Sequence, residues 1–137
     1  MTHSAANAGL ALSIVMPVRN EAASIESVVQ QTLSLLGEGD ELIVIDGEST
    51  DSSLAILKAL QMQHPQLQVV SSRPGRAAQM NAGARKAKGE VLLFLHADTV
   101  LSPQAWAQLV SQLQDWDGQS PTWGRFDVQI VGHSLML

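Results

Sequence analysis

His96 and Asp98 directly follow VLLFL (residues 91–95), the most hydrophobic run of the sequence. Both side chains are costly to bury, and both can bind a metal ion. An imidazole and a carboxylate two residues apart in a loop can reach the same point. This donor pair suits Mn²⁺ or a similar cation, whereas Mg²⁺ prefers oxygen ligands alone. The alternative is that Asp98 caps the following turn and His96 is a core residue. Because H-x-D is a weak pattern, spacing alone favours this alternative.

Three other hydrophobic runs are also followed by polar residues. They are LSIVMPV, ELIVID and LQVVS, and each has the length and apolar character of a buried β-strand. The polar residues at the ends of the four runs are, in chain order, Arg19, Asn20 and Glu21, then Asp46, then Arg73 and Arg76, and last His96 and Asp98. In α/β folds, ligands bind beyond the carboxyl ends of the strands. The pattern therefore predicts one polar edge made of these strand ends.

The segments between the runs have apolar residues at helical spacing, and a weaker strand candidate, TWGRFDVQIV, follows the last of them. The order β-α-β-α-β-α-β-α-β, with strands too apolar to face water, predicts an α/β fold with a mostly parallel sheet and helices on both faces. VLLFL is predicted to be the central strand. Trp106 lies on the apolar stripe of the last helix and is predicted to be a core residue.

Helix boundaries are predicted from capping chemistry. The predicted starts are Asn20 for the first helix, Thr50 or Asp51 for the second, and Ser102 followed by Pro103 for the fourth, while the third helix is predicted to run to Lys88 and stop at Gly89. Asp51 is therefore interpreted as a cap rather than as a ligand.

Composition restricts the class of protein. The chain has 137 residues, of which 45% are hydrophobic and 15% are charged, as is typical of a globular domain. Its net charge of -5 argues against a nucleic-acid-binding surface. There is no cysteine, no signal-peptide pattern and no apolar run of the roughly 20 residues that a membrane-spanning helix needs. We expect a cytoplasmic protein, with peripheral attachment to the inner face of the membrane left open. A flexible segment at residues 1–11 is expected to precede one domain at residues 12–137.

Four stretches, in this order, resemble the nucleotide-binding half of family 2 glycosyltransferases, which have the GT-A fold. SIVMPVRNEAASI resembles the opening strand and its P-x-x-N-E turn, and ELIVIDGESTDSS resembles the D-G-S-T-D signature of the second strand. GRAAQMNAGARKAKGEVLLFL resembles the segment with an N-x-G helix before the fourth strand. HADT stands where the family carries its D-x-D metal motif. The order and spacing of the four stretches are more specific than any one of them.

The resemblance implies roles in nucleotide binding for individual residues. Asp46 matches the carboxylate that reads the nucleotide base, and Arg76 matches a basic position beside the nucleotide. The turn that lines the nucleoside pocket corresponds to Pro17, Arg19 and Glu21. The implied donor is a UDP- or GDP-sugar.

The resemblance also changes which interpretation, metal binding or turn capping, is favoured for the residues after the fourth strand. Asp98 matches the last Asp of D-x-D, the usual metal ligand, so the metal-binding interpretation is now favoured over capping. His96 departs from the first Asp of that motif, although it can still bind a metal. The implied cofactor is Mn²⁺ or Mg²⁺.

Simpler interpretations stay open for some of these residues. Glu21 also suits the first turn of a helix, where its charge favours the helix dipole. Arg19 also suits the role of a solvated surface charge. Trp123, on the last strand candidate, is interpreted as a packing residue, with stacking on a sugar as the alternative.

The function implied by the resemblance is metal-dependent transfer of a sugar, with inversion, from a nucleoside-diphosphate donor to an unknown acceptor. In the family, a second half supplies the acceptor site and the catalytic carboxylate. This sequence ends where that half is expected to begin, and Asp127 is too early to match the base. We therefore interpret the chain as a truncated donor-binding half without an assigned catalytic base. A homo-oligomer or a partner that covers the truncated edge is compatible with this interpretation.

Two other functions are considered. The first is a non-catalytic nucleotide-sugar-binding fragment or module, which would show no donor hydrolysis, whereas an intact transferase usually leaks some transfer to water. The second is a nucleotidyltransferase, which would need a glycine-rich, basic first turn. MPVRNEAAS lacks such a turn.

Overall fold

The computed structural model describes residues 10–99 and 101–114, together with two strands nearer the carboxyl terminus. The elements are β1 (Leu12–Val18), α1 (Ile25–Leu35), β2 (Glu41–Asp46), α2 (Ser53–Gln63), β3 (Leu67–Ser71), α3 (Arg76–Lys86), β4 (Val91–Phe94), α4 (Pro103–Gln114), β5 (Asp127–Ile130) and β6 (His133–Met136). The predicted alternation of strands and helices is confirmed from β1 to α4. The expectations for residues 1–9 and for Trp123 fall outside the described residues.

The first four strands form one parallel sheet in the order β3-β2-β1-β4. The chain moves outwards from β1 to β2 to β3, and then crosses back to add β4 on the other side of β1. The predicted α/β fold, with a parallel sheet and helices on both faces, is confirmed. The direction of strand addition reverses at β1, and ligand-binding crevices of α/β sheets open at such reversals.

The helices divide unequally between the two faces of the sheet. The larger core contains side chains of α1, α2 and α4 packed on Leu12, Ile14 and Met16 of β1. The smaller core contains Ala82 of α3 packed on Val15 and the alternate residues of β2. Crossover connections between parallel strands are right-handed, so the helix that accompanies the reversed step must lie on the opposite face. The lone position of α3 therefore follows from the strand order.

The prediction that VLLFL is the central strand is wrong for the sheet that the structure describes. There, β4 is an edge strand, and β1 lies between it and β2. Leu93 and Leu95 of the run are buried on the larger core, whereas Leu92 is 40% exposed and Phe94 is 37% exposed. A purely apolar run indicates that a strand is buried, but it does not indicate which strands pair with it. The position of VLLFL within the sheet was therefore predicted wrongly.

The last predicted strand, TWGRFDVQIV, is also corrected by the structure. Only Asp127–Ile130 of that stretch is a described strand, and it pairs antiparallel with a strand that was not predicted, His133–Met136. These two strands form a separate two-stranded sheet. Isolated short strands have a weak periodic signal, so their pairing could not be read from the sequence.

Helix boundaries were predicted with mixed success. Ser102 and Pro103 open α4 as expected, because the Ser102 hydroxyl accepts a hydrogen bond from the Ala105 amide at 3.0 Å. The third helix ends at Lys86, before the predicted stop at Gly89. Gly89 has a different role, since a Cβ there would lie 2.6 Å from the Ser13 hydroxyl and 2.8 Å from the Ala11 carbonyl. Among the described residues, no helix is long and apolar enough to cross a membrane.

Helix α3 approaches the sheet so closely that Gly83 has no room for a side chain. A Cβ at this position would lie 2.5 Å from both Ile45 Cδ1 and Val15 Cγ1. We expect Gly83→Ala to lower the free energy of unfolding by about 1–3 kcal/mol, because it overpacks this contact. Urea unfolding measures the change. Asn81→Ala, at an exposed position of the same helix, is the control and should stay within about 0.5 kcal/mol of wild type. Equal stability of the two variants would show that α3 does not pack as described.

Candidate functional site

Pairing between β1 and β4 ends just before Pro17. The Val15 carbonyl accepts a hydrogen bond from the Leu95 amide at 3.0 Å, so the backbone of Val15 faces β4. Pro17, two residues further along the strand, faces the same way but lies beyond the last residue of β4 paired to β1. A proline has no amide to donate, so it is tolerated here because pairing on this side has ended. The half-buried Pro17 therefore marks the start of the crevice between the two strands.

Asn20 joins the loop after β1 to the loop after β2. It adopts a left-handed backbone conformation with φ of 56°. Its side-chain oxygen accepts hydrogen bonds from the amides of Thr50 at 2.7 Å and Asp51 at 3.3 Å. Its own amide donates to the Ser49 hydroxyl at 2.8 Å. The prediction that Asn20 caps the first helix is therefore wrong, since the residue before α1 is Ser24.

Asp51 extends the same connection. Its carboxylate accepts hydrogen bonds from the amide of Ser53, the first residue of α2, at 2.9 Å and from the amide of Ala22 at 3.2 Å. Hydrogen bonding with Ser53 is the main cause that lowers the pKa of Asp51 below its usual range, and the Ala22 amide adds to it. The predicted capping contact is present, although Ser52 occupies the cap position itself. Asp51 also ties the two loops together, which the sequence did not indicate.

Asp46 is the last residue of β2 and is buried, with 2% of its surface exposed. One carboxylate oxygen accepts a hydrogen bond from the Ser49 hydroxyl at 2.5 Å, and the other accepts one from the Ser49 amide at 3.1 Å. These bonds close a tight turn in which Glu48 has a positive φ of 58°. A carboxylate can accept about four hydrogen bonds, so Asp46 keeps acceptor capacity for a ligand at the strand end. The turn-closing role of Ser49 was missed from the sequence.

Arg19 and Glu21 both lie in the loop after β1. Arg19 is exposed, and its Nε donates a hydrogen bond to the Gly47 carbonyl at 3.1 Å, so its guanidinium is held against the turn after β2. Glu21 is half-buried and precedes α1, whose first turn contains Glu26 instead. The interpretation of Glu21 as a first-turn helix residue is therefore wrong. Its amide donates to the Ser53 hydroxyl at 2.8 Å.

Arg76 is the first residue of α3 and is exposed. It follows Gly75, whose φ of 126° belongs to a conformation that other residues rarely adopt. This glycine turns the chain from β3 into α3. The backbone thus presents a cation at the start of a helix, where the positive end of the helix dipole also favours an anion.

His96 and Asp98 form the turn after β4. The Thr99 amide closes this turn by donating to the His96 carbonyl at 3.0 Å. His96 is half-buried and Asp98 is exposed. The Asp98 carboxylate accepts no hydrogen bond from the described residues, and α4 is capped by Ser102 instead. Within the described part of the chain, the capping alternative for Asp98 is not realised.

The donor set after β4 is compatible with a cation that is shared with a ligand. No group of three or more His, Asp or Glu residues in the described residues could hold a metal by themselves. An imidazole and an exposed carboxylate in one turn are two candidate ligands, so a divalent cation bound there would complete its shell with phosphate oxygens or water. Trp106, by contrast, is confirmed as a core residue with 4% exposure.

Gln79 is a buried polar residue that the sequence analysis missed. It lies on α3, is 5% exposed and contacts the ends of β1 and β2 through its amide group. The available signal was its spacing: Gln79 stands four residues before Gly83, on the face of the helix that packs against the sheet. A polar residue at such a position requires hydrogen-bond partners.

Comparisons with known proteins agree with this architecture. The sequence model described as "Glycosyl transferase family 2" matches residues 13–127. Glucosyl-3-phosphoglycerate synthase from Mycobacterium tuberculosis is 34% identical over 101 residues, covering 70% of this chain and 31% of the relative. The chain thus spans about a third of the length of curated relatives that it matches, 34% of one and 31% of another.

Solved structures show the same fold. A mannosyltransferase from Pyrobaculum calidifontis in complex with GDP-Man and Mn²⁺ superposes with a TM-score of 0.68 at 27% identity, covering 76% of this chain and 32% of that one. Glucosyl-3-phosphoglycerate synthase from Mycobacterium tuberculosis in complex with Mn²⁺, UDP and glucosyl-3-phosphoglycerate superposes with a TM-score of 0.65 at 31% identity. It covers 83% of this chain and 43% of that one. The structural neighbours are GT-A glycosyltransferases, as the fold resemblance implies.

The lowered pKa of Asp51 makes part of the stability depend on pH. A group whose pKa is depressed by folding stabilises the protein above its unfolded pKa, and this contribution is lost as the pH falls through the folded value. We expect Asp51→Asn to be less stable than wild type at neutral pH and the difference to shrink as the pH falls below about 4, the ordinary aspartate pKa. Urea midpoints measured from pH 7 downwards test this. A constant difference between Asp51→Asn and wild type would contradict the assignment.

Proposed function

The chain belongs to glycosyltransferase family 2, and from this premise we propose that it binds a nucleoside-diphosphate sugar and contributes to transfer of the sugar to an acceptor. The observation that carries the proposal is the contrast between carboxylates at one edge of the sheet. Asp51 is engaged by amides of two loops and Asp46 by Ser49, with acceptor capacity left on Asp46, whereas Asp98 is exposed and has no hydrogen-bond partner among the described residues. An exposed carboxylate in the turn after a strand, with no partner among the described residues, is available to a ligand.

We assign the nucleoside to the ends of β1 and β2. Asp46 is buried at the strand end and keeps acceptor capacity, which suits an N–H group of a nucleobase. Pro17 lies near the end of β1, and Arg19 and Glu21 lie in the loop that follows. Arg19 is already held towards the turn after Asp46. A buried carboxylate that discriminates by hydrogen bonding gives more selectivity than apolar contact alone, because a mismatched base leaves it unpaired.

We assign the diphosphate to the crevice between β1 and β4. Arg76 supplies a positive charge beside a helix start, and His96 and Asp98 supply the donors for a divalent cation. When bound there, Mn²⁺ or Mg²⁺ would neutralise charge on the diphosphate. Relatives of known structure that contain GDP-Man with Mn²⁺, or UDP with Mn²⁺, support this pairing of ligands. The mixed donor pair favours Mn²⁺.

The transfer that this arrangement supports breaks the bond between the anomeric carbon and the diphosphate oxygen. The electron pair of that bond leaves with the nucleoside diphosphate. The acceptor hydroxyl forms the new glycosidic bond as its proton passes to a general base, which is not assigned among the described residues. Inversion follows when the acceptor attacks from the face opposite the leaving group. Arg76 is suited to stabilise the negative charge that develops on the departing diphosphate, and Asp46 keeps the nucleoside in position for the reaction.

The described residues provide the donor side of this reaction, and we propose that residues 12–137 form a donor-binding unit. Because the chain spans about a third of its curated relatives, 34% of one and 31% of another, the acceptor and the catalytic base are left unassigned. UDP and GDP are both proposed as the nucleotide, since relatives bind either one. A cytoplasmic location suits these donors and the absence of cysteine.

Asp98→Asn should abolish the effect of Mn²⁺ on nucleotide binding. A cation that contacts both the protein and the nucleotide makes the binding of cation and nucleotide cooperative, with a typical coupling of about 5- to 150-fold. Calorimetric titration of UDP and GDP, with and without Mn²⁺, is expected to show such enhancement in the wild type and none in Asp98→Asn. His96→Ala should lose part of the enhancement, or shift preference from Mn²⁺ towards Mg²⁺. Full enhancement in Asp98→Asn would place the metal elsewhere. Absence of UDP and GDP binding in the wild type would refute the proposed function.

Asp46→Asn should weaken nucleotide binding whether or not Mn²⁺ is present. The substitution keeps one acceptor for Ser49 but removes the charge that a base N–H would meet, and a hydrogen bond to a charged group contributes about 1.5–3 kcal/mol. We expect a loss of at least about tenfold in affinity for UDP or GDP, measured by calorimetry. Ser49→Ala is the matched control, because it disturbs the turn but leaves the carboxylate in place. Unchanged affinity in Asp46→Asn would show that Asp46 does not bind the nucleotide. An equal loss of affinity in Asp46→Asn and Ser49→Ala would show that Asp46 acts only by closing the turn.

A further inference from the structure

Gln79 makes three hydrogen bonds to backbone groups at the ends of three different segments. Its Nε2 donates to the Val18 carbonyl at 2.9 Å and to the Ile45 carbonyl at 2.9 Å. Its Oε1 accepts from the Gly75 amide at 3.2 Å. The amide group thus joins β1, β2 and the start of α3 from within the protein, where it is 5% exposed.

Each of these backbone groups directly precedes a residue assigned to the nucleotide. Val18 is followed by Arg19, Ile45 by Asp46, and Gly75 by Arg76. We propose that Gln79 is a positioning residue for the donor site, which fixes these three side chains relative to one another without touching the ligand itself. This inference rests on the proposed function, because it takes those residues as the nucleotide site.

Geometry explains why one side chain can hold all three segments. The amide group of Gln79 is planar, so its two N–H directions and its oxygen are at fixed angles. Movement of either strand end or of Gly75 would break at least one bond, and a buried polar group left without its partner costs about 1–3 kcal/mol. The strand ends and the helix start are therefore held in one relative position, as pre-organised binding requires.

Gly47 makes this arrangement possible. A Cβ on Gly47 would lie 2.6 Å from Gln79 Cδ and 2.7 Å from its Oε1, so the turn after β2 lies directly against the amide. The Gly47 amide donates to the same Val18 carbonyl at 2.9 Å, and the Gly47 carbonyl accepts the bond from Arg19. A side chain at this position would displace the amide of Gln79, the turn, or both.

Gln79→Met tests the proposal, since it keeps the approximate volume of the side chain and removes all three hydrogen bonds. We expect affinity for UDP or GDP without metal to fall about 10- to 100-fold, by analogy with the loss when an outer-shell partner of a metal ligand is removed. The ratio of affinities with and without Mn²⁺ should stay at the wild-type value, because His96 and Asp98 are not among the positioned residues. A role limited to stability would not produce this separation.

Leu33→Ala is the control for loss of stability. Leu33 is buried on the larger core, on the opposite face of the sheet from α3. Its truncation should lower the melting temperature while leaving nucleotide affinity unchanged at temperatures where the protein is folded. Wild-type affinity in Gln79→Met, or an equal loss of affinity in Leu33→Ala, would overturn the proposal.

Hydrogen exchange on the ligand-free protein separates this inference from the proposed function. In Gln79→Met, exchange should become faster at the amides of Gly47 and Gly75 and stay unchanged at the Leu42 amide, which lies at the opposite end of β2. Unchanged exchange at Gly47 and Gly75 overturns the positioning role even if nucleotide binds. If the wild type binds neither UDP nor GDP, the proposed function fails, and localised acceleration still establishes that Gln79 holds these ends together.

A double-mutant cycle between Gly47 and Gln79 gives a second test. Gly47→Ala alone should weaken nucleotide binding, because the added methyl group meets the Gln79 amide. Combined with Gln79→Ala, which removes that amide, the methyl group has space, so the two losses should not add. Additive losses would contradict a shared mechanism.

Discussion

The carboxyl ends of β1 and β2 carry backbone groups that the sheet no longer pairs, and the structure depends on how these groups are satisfied. Buried backbone donors and acceptors must find partners, because water is excluded from them. At the buried strand ends the partner is Gln79, and in the more exposed adjoining loops the backbone is bound by the short polar side chains of Asn20, Ser49 and Asp51. The bonds of Gln79 and Asn20, and the bond from the Ala22 amide to Asp51, link segments that are distant in sequence. The loops that surround the candidate site are therefore defined by contacts between them.

This requirement divides the polar residues of the edge into two groups. Asn20, Ser49 and Asp51 are engaged with the backbone of neighbouring loops, so their presence in the signature stretches has a structural explanation. Asp98, in the turn after β4, and Arg76, at the start of α3, have exposed side chains. Asp46 belongs to both groups, since it closes a turn while lying at the strand end. A motif match alone does not separate residues that build a site from residues that are available to a ligand.

The reversal of strand order at β1 explains the other asymmetries of the molecule. It places α3 alone on one face, and α3 can approach that face closely because Ala82 and Gly83 face Val15 and Ile45. It also puts β4 at the end of the described sheet, where Leu92 and Phe94 stay partly exposed on the α3 side. The crevice beside Pro17 opens at the same reversal, so the position of the candidate site and the exposed face of β4 have one topological origin.

The sequence by itself determined the elements and the edge at which polar residues gather. Strand and helix periodicity is a local property, so β1 to α4, the buried Trp106 and the capping of α4 by Ser102 could be predicted from neighbouring residues. The family resemblance rested on short stretches whose order is visible in the chain. Tertiary structure alone decided the partners: β4 at the edge instead of the centre, Asn20 bound to the second loop instead of capping α1, and Gln79 across three segments. Those outcomes depend on which segments contact each other in the folded chain. An apolar run or a capping residue is compatible with several different partners.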